Sequence, residues 1–128
     1  MLGHVSIRVL DVEASLKLYL SMLSPLEYEV TRFPQVVGLG CAKDSAPIPD
    51  LWLREYQSGP ENNDCEKPTP IHFSFYVKER KQVDEFYSRA LAAGAKSNGK
   101  PGLRPYIENY YCTFPLSSWP DLLSESRY

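Results

Sequence analysis

The sequence contains an ungapped internal repeat, and this repeat limits the possible folds more than any other feature. When the chain is aligned on itself so that His4 falls on His72, identical residues recur without a gap as far as Leu23 and Leu91. The other identical pairs are Ser6 with Ser74, Val9 with Val77 and Tyr19 with Tyr87. Self-similarity of this kind is typical of a duplicated structural unit whose copies bury their apolar faces together. The sequence therefore predicts two copies of one module.

The first copy opens with a strand pattern that passes into a helical pattern. Val5, Ile7 and Val9 alternate with polar residues, which places the apolar side chains on one face of a strand. Asp11 is a suitable N-cap for a following helix, and Pro25 marks its end. The apolar residues at helical spacing are Leu16, Tyr19, Leu20 and Leu23. We expect this helix to cover the apolar face of the strand.

The second copy repeats this arrangement. Phe73, Phe75 and Val77 alternate with the polar face that His72 opens. The helical stripe that follows consists of Val83, Phe86, Tyr87, Ala90 and Leu91. Gly94 comes directly after it, at a position where glycine commonly ends a helix. Because the tyrosines of both stripes fall among apolar residues, we interpret them as core residues.

Strand-like runs follow each helix. Module one has "LEYEVTRF", "QVVGLGCA" and "DLWLREY", separated by turn residues. Module two has "PYIENYYCTF" with one strand and "PDLLSES" with a last short one, and the polar, proline-bearing "QSGPENNDCEKPTP" joins the modules. The predicted order is βαβββ, linker, βαβββ. This makes one α+β domain over residues 1–128, with module one at 1–56, a linker at 57–70 and module two at 71–128.

Composition and charge exclude several classes of function. The net charge is −2 and the basic residues are scattered, so we expect neither a nucleic-acid nor a membrane partner. No apolar run is long enough to span a bilayer, and the N-terminus lacks a signal-peptide pattern, which predicts a cytoplasmic protein. Cys41, Cys65 and Cys112 are odd in number and lack C-x-x-C spacing, so we expect free thiols.

Four segments resemble the vicinal-oxygen-chelate superfamily, which contains glyoxalase I, bleomycin-resistance proteins and extradiol dioxygenases. They are "GHVSIRVLDVEASLKLY", "IHFSFYV", "VDEFYSRALAAGAK" and "ENYYCTF". The resemblance implies that the two βαβββ modules form an open, cupped mixed β-barrel with the helices outside. It also implies that His4 and His72 face the cleft within that barrel.

Enzymes of this superfamily commonly hold one divalent metal ion, such as Zn, Ni, Fe or Mn, with ligands from the first and last strand of each module. The resemblance implies His4 and His72 as ligands and places another ligand position at or near Trp52, which cannot bind a metal. An ungapped count puts Ser124 at the remaining position, and a bulge there would bring in Glu125. The implied metal site is therefore His4, His72 and Glu125. The alternative is that both histidines line a cleft without metal.

The cleft face also carries candidate substrate-binding residues, which are Arg8, Trp52, Arg54, Tyr76 and Tyr111. Arginines together with aromatic rings can bind a flat or anionic small molecule. Arg8 and Arg54 as solvated residues at the mouth of the sheet are an equal alternative. No residue pattern identifies a catalytic acid, base or nucleophile.

Three hypotheses for the function remain open. The first is a metal-dependent lyase or dioxygenase that acts on a substrate with vicinal oxygens, and the second is a metal-free protein that binds or sequesters a small molecule. The third is an inactive member kept for assembly. Pro115 and Pro120 shorten the predicted last strand, and an exposed sheet edge favours pairing with a second chain. We therefore expect a homodimer.

Overall fold

Module one folds in the order that the sequence predicts. The computed structural model describes residues 3–43, 49–56 and 71–116, and its class is α+β. The elements of module one are β1 (Val5–Val9), α1 (Val12–Leu23), β2 (Tyr28–Arg32), β3 (Val37–Cys41) and β4 (Leu51–Glu55). All three strand-like runs that follow the first helix are thereby confirmed.

The four strands of module one form a mixed sheet in the order β1-β4-β3-β2. β1 runs parallel to β4, and the other two pairings are antiparallel. The register places Ile7 opposite Leu53, and Val37 lies opposite Leu53 on its other side. Because side chains alternate along a strand, these apolar residues all lie on one face of the sheet.

The core lies between that face and α1. Leu23 of the helix and Leu39 and Leu53 of the sheet are fully buried. Phe73 and Phe75 pack against the same cluster, so the first segment of module two closes over the core of module one. A smaller cluster joins the helices and consists of Leu18, Met22, Ala90 and Ala95. Burying these side chains removes most of their apolar surface from water, which is the main stabilising contribution.

The predicted ends of α1 are confirmed. The Asp11 carboxylate accepts a hydrogen bond from the backbone N–H of Ala14 at 2.9 Å, so Asp11 is the N-cap. The helix ends at Leu23 and passes into a 3₁₀ turn, Ser24–Leu26, that contains Pro25. Proline has no N–H to donate, so the α-helical hydrogen bonding stops there.

Helix α2 (Arg80–Ala92) also ends where the sequence predicts. Gly94 has φ 100°, and its N–H donates to the carbonyl of Leu91 at 3.0 Å. The N–H of Ala95 donates to the carbonyl of Ala90 at 2.9 Å. These two bonds form a Schellman motif, in which glycine takes the left-handed position because it has no Cβ.

Module two is less regular than predicted. Residues 71–77 alternate between exposed and half-buried but join no ladder with another described strand. Four two-residue strands follow α2: β5 (Lys96–Ser97), β6 (Gly102–Leu103), β7 (Tyr111–Cys112) and β8 (Pro115–Leu116). They form two separate pairs, β5 with β8 and β6 with β7. Pro101, Pro105 and Pro115 lack the N–H that a ladder requires, which explains why these strands are short.

Some predictions fall on residues outside the described ranges. These are the linker at 57–70, the last strand in "PDLLSES", and Cys65. Closure of the two modules into a barrel stays a prediction, since the described strands of module one and module two belong to different sheets. Neither described helix has the length and apolar character needed to cross a membrane.

Candidate functional site

The face of the module-one sheet that points away from α1 carries polar and aromatic side chains. Ser6 and Arg8 on β1 lie directly opposite Trp52 and Arg54 on β4. We call this surface the open face. Strand alternation places Glu55 on the other face, as the sequence predicts. The open face therefore presents two arginines and one tryptophan on two neighbouring strands.

Trp52 occupies a prepared place at the centre of the open face. It lies opposite Gly38 on β3, and a Cβ built at Gly38 would come within 3.3 Å of the indole. The Phe33 ring lies beside it, with the ring centroids 5.4 Å apart and the planes tilted by 40°. The indole thus fills the position where the resemblance places a metal ligand.

Gly38 and Gly40 allow the chain to pack closely on the same face. A Cβ at Gly38 would lie 2.5 Å from Cγ of Pro49, and one at Gly40 would lie 3.0 Å from the Pro49 Cα. Pro49 is buried there. The G-x-G spacing therefore serves close backbone packing, which is a common reason for glycine inside a strand.

An open cleft of about 570 Å³ lies where β1 and β4 end and where β2 turns into β3. We call it the end cleft. The residues that line it are Arg8, Val12, Glu13, Arg32, Phe33, Pro34, Gln35, Val36, Val37, Arg54 and Glu55. It brings together Arg8 and Arg54, both of which the sequence predicts as binding residues. It also contains Arg32, Glu13 and Phe33, which sequence reasoning missed.

Arg32 and Glu13 form a bidentate ion pair within the end cleft. The two guanidinium nitrogens donate to the two carboxylate oxygens at 2.6 and 3.0 Å. The hydrogen bond from Arg32 lowers the pKa of Glu13, and the same bond raises the pKa of Arg32. Nothing in the local sequence indicates this pair, because α1 and β2 meet only in the folded chain.

The two histidines lie at the positions that the repeat predicts, but no described strand pairing joins them. His4 is exposed and directly precedes β1, whose described partner is β4. His72 is exposed on the extended segment 71–77, and its ring lies edge-on to Phe114 with the centroids 5.8 Å apart. A shared cavity for His4 and His72 stays a prediction.

The described residues do not fit a metal site. Among them, no three histidine, cysteine, aspartate or glutamate side chains lie close enough to hold an ion. Glu125 lies outside the described residues. A protein metal site normally needs three or four such ligands in a defined geometry. The set of His4, His72 and Glu125 therefore stays a prediction.

Two of the predicted substrate-binding residues lie away from the end cleft. Tyr76 is 95% exposed. Tyr111 is held against α2, because its hydroxyl donates to Asp84 at 2.7 Å and the Arg80 guanidinium lies 5.2 Å from the ring centroid. The hydrogen bond with Asp84 raises the pKa of Tyr111. Neither tyrosine lines the cleft that holds Arg8 and Arg54.

The repeated tyrosine of module one belongs to the core, as the sequence predicts. Tyr19 packs against the main hydrophobic cluster, and its ring stacks on Phe73 at 6.4 Å. Burial raises the pKa of Tyr19 to about 12, because the ionised phenolate would lose its hydration. Its partner in the repeat, Tyr87, is half-buried and donates a hydrogen bond to Ser97 at 2.7 Å. Neither tyrosine lines the end cleft.

The fold is similar to several solved structures. A glyoxalase/bleomycin resistance protein from Albidiferax ferrireducens T118 matches with a TM-score of 0.61 and 21% identity, over 80% of this chain and 79% of that one. A glyoxalase/bleomycin resistance protein/dioxygenase family enzyme from Burkholderia phytofirmans PsJN matches with a TM-score of 0.55 and 19% identity, over 82% of each chain. A glyoxalase/bleomycin resistance protein/dioxygenase from Nocardioides matches with a TM-score of 0.51 and 18% identity, over 83% and 70%.

The comparisons bear on the fold alone. No protein-family model matches the sequence. No curated protein matches it either. At identities of 18 to 21%, the structural likeness carries the architecture but not a shared ligand or reaction. Together with the βαβββ order of module one, the likeness shows that this chain has the fold of the glyoxalase/bleomycin resistance/dioxygenase proteins, as its resemblance to the vicinal-oxygen-chelate superfamily implies.

Proposed function

We propose that this protein binds a small molecule without a metal ion, at the open face and end cleft of module one. One observation carries the proposal: Arg8 and Arg54 lie side by side across two strands, next to the aromatic pair of Phe33 and Trp52. Guanidinium groups and aromatic rings together recognise charge and shape without a Lewis acid. The volume of the end cleft, about 570 Å³, lies in the range typical of small-molecule sites.

The identity and packing of Trp52 support a metal-free site. Tryptophan cannot replace a carboxylate or imidazole ligand, and Gly38 leaves room for the indole at that position. The fold is the one found in proteins whose names include bleomycin resistance. Binding without chemistry is therefore a function that this architecture is proposed to support here.

The alternative is a metal-dependent lyase or dioxygenase that acts on vicinal oxygens. The observation that favours it is the recurrence of histidine at the opening of both modules, as His4 and His72. A bound divalent ion would polarise two adjacent oxygens of a substrate. The two proposals differ in metal content, which makes them separable.

The first experiment combines elemental analysis with a thermal shift screen. Protein purified without added metal or chelator should contain no stoichiometric Zn, Ni, Fe or Mn. A panel of neutral, cationic and anionic aromatic molecules should include at least one that raises the melting temperature, since a ligand that binds only the folded state stabilises it. The same ligand should give a smaller rise with Arg54→Gln and an unchanged rise with Arg89→Gln, an exposed arginine on α2.

Each result separates the hypotheses. Stoichiometric metal that is lost in both His4→Ala and His72→Ala would establish the metal-dependent alternative. In that case Trp52→Glu should tighten Co²⁺ binding, because it adds a carboxylate at the suspected ligand position. If there is neither metal nor any shift across the panel, the small-molecule proposal fails and an assembly role remains.

A further inference from the structure

We infer that the end cleft selects a flat aromatic molecule with one negative charge, a carboxylate, held between Arg8 and Arg54 with its ring against Phe33. This inference rests on the proposed function and specifies the chemical class of the ligand. It follows from the register of two strands, the charge of the cleft lining and an exposed aromatic ring.

The register places two like charges next to each other. Arg8 and Arg54 are direct partners in the parallel pairing of β1 and β4, and both project from the open face. Neighbouring strands lie about 4.8 Å apart, and like charges directly opposite each other destabilise a sheet. An oxyanion placed between the two guanidinium groups would relieve this repulsion and accept charge-assisted hydrogen bonds from both.

The third arginine of the cleft is already paired. Both terminal nitrogens of Arg32 bind the Glu13 carboxylate, which leaves Arg32 less able to hold a ligand. The described structure gives the Arg54 guanidinium neither a hydrogen bond nor an ion pair, and Arg54 is exposed to solvent. The incoming anion is therefore expected at Arg54 and its neighbour Arg8.

The charge of the lining favours a monoanion. The end cleft contains the three arginines and two glutamates, Glu13 and Glu55, so one net positive charge remains when all five are ionised. A carboxylate neutralises that charge, whereas a doubly charged phosphate leaves an excess negative charge beside Glu55. The lining therefore favours a carboxylate over a phosphate monoester.

The aromatic part of the ligand is indicated by Phe33. This ring is 49% exposed in the turn between β2 and β3, yet it is held in place from two sides. The Phe33 N–H donates to the carbonyl of Val36 at 2.9 Å, and the Trp52 ring lies behind it. A rigid, exposed aromatic face beside two cations fits a ligand whose own ring can stack there.

The test uses calorimetric titration with matched probes. The probes are 2-naphthoate, its neutral analogue 2-naphthamide, the dianion 2-naphthyl phosphate and the non-aromatic cyclohexanecarboxylate. We expect naphthoate to bind at least tenfold more tightly than naphthamide and no more weakly than the phosphate. Arg8→Gln and Arg54→Gln should each weaken naphthoate binding about tenfold. Arg89→Gln is the matched control and should leave it unchanged.

The stacking part of the inference has its own variant. Phe33→Leu keeps an apolar side chain at the position and removes the aromatic face. It should weaken naphthoate binding several-fold and leave cyclohexanecarboxylate binding nearly unchanged. Equal losses for both carboxylates would mean that Phe33 contributes apolar area only and would overturn the aromatic assignment.

The outcomes distinguish this inference from the proposed function. If naphthamide binds as tightly as naphthoate, or if the arginine variants match Arg89→Gln, the anion assignment is wrong while small-molecule binding stands. If no probe binds and the thermal shift panel finds no ligand, both proposals fail. Far-ultraviolet circular dichroism on every variant shows whether the fold is retained, so a loss of binding in a folded variant is decisive.

Discussion

The ion pair of Glu13 and Arg32 shows how single residues define the end cleft. Glu13 lies in the first turn of α1 and Arg32 at the end of β2, so their contact joins the helix to the far strand of the sheet. Both side chains are largely exposed, and exposed ion pairs contribute little to stability. Their main consequence is to engage one of the three arginines, which sets the net charge available to a ligand.

This pair predicts a small, pH-dependent effect on stability. Arg32 lowers the folded-state pKa of Glu13 below its ordinary value of 4.5. The stabilisation is therefore fully present above that value and is lost as the pH falls through the folded-state pKa. Glu13→Gln should lower the melting temperature slightly near neutral pH, and this difference should vanish as the pH is lowered well below 4.5.

Thermal unfolding of both proteins across that pH range provides the measurement. Arg32→Gln is the matched variant, and adding it to Glu13→Gln should cost nothing more, because the pair is already broken. A difference that persists unchanged in acid would show that Glu13 stabilises the fold by some means other than its charge.

At the scale of elements, the sheet of module one depends on the absence of a side chain at two positions of β3. Gly38 and Gly40 let Pro49 lie directly on the open face, and Gly38 also accommodates the Trp52 indole. The connection that enters β4 is therefore packed against β3. Trp52, and with it the Phe33 face of the end cleft, is positioned by this contact.

We expect Gly38→Ala to destabilise the protein by about 1–3 kcal/mol, the usual cost of overpacking a filled region. The added methyl group would lie 2.5 Å from Pro49 Cγ, so the proline ring or the strand must move. Urea unfolding followed by tryptophan fluorescence measures the change. Gly102→Ala is the control, because its nearest neighbour, Arg104 Nη1, lies at an ordinary 3.7 Å.

A second variant separates packing from strand propensity. In a Pro49→Gly background the methyl group at Gly38 has room, so Gly38→Ala should cost much less there than in the natural sequence. Equal costs in the two backgrounds would place the effect elsewhere than at the contact with Pro49.

At the scale of the whole molecule, the unequal modules leave a sheet edge. β1 is the outermost strand of the four-stranded sheet, and within the described ranges no strand pairs with its outer side. The Val5 N–H and the Val9 carbonyl both bond toward the β4 side, at 2.7 Å each, so the backbone of Ser6 faces outward. An edge strand with free donors and acceptors is a common site of pairing with a second chain.

We therefore predict a homodimer that uses the outer edge of β1. Sedimentation velocity over a range of concentrations should show a dimer that dissociates on dilution. Ser6→Pro removes an outward donor and should shift the equilibrium to monomer, whereas Gly3→Ala, where an added Cβ meets nothing within 4 Å, should not. A monomer at every concentration, with the natural sequence, would rule out this edge as an interface.

The sequence by itself determined the local structure of module one and the ends of both helices. The alternation of Val5, Ile7 and Val9 gave a strand with one buried face, and Asp11 and Gly94 gave the helix ends. These features depend on neighbouring residues and on backbone preferences, which act over a few positions. The resemblance to the vicinal-oxygen-chelate superfamily, carried by short motifs in order, indicated the fold.

Only the tertiary structure decided how these elements meet. The pairing of Arg8 with Arg54 depends on the register of two strands that are far apart in the chain, and the pairing of Arg32 with Glu13 depends on how α1 lies on the sheet. The position of Pro49 over Gly38 likewise needed the folded connection before β4. Register and close packing are fixed by the burial of the whole core rather than by local preference, and for that reason the end cleft could not be deduced from the sequence.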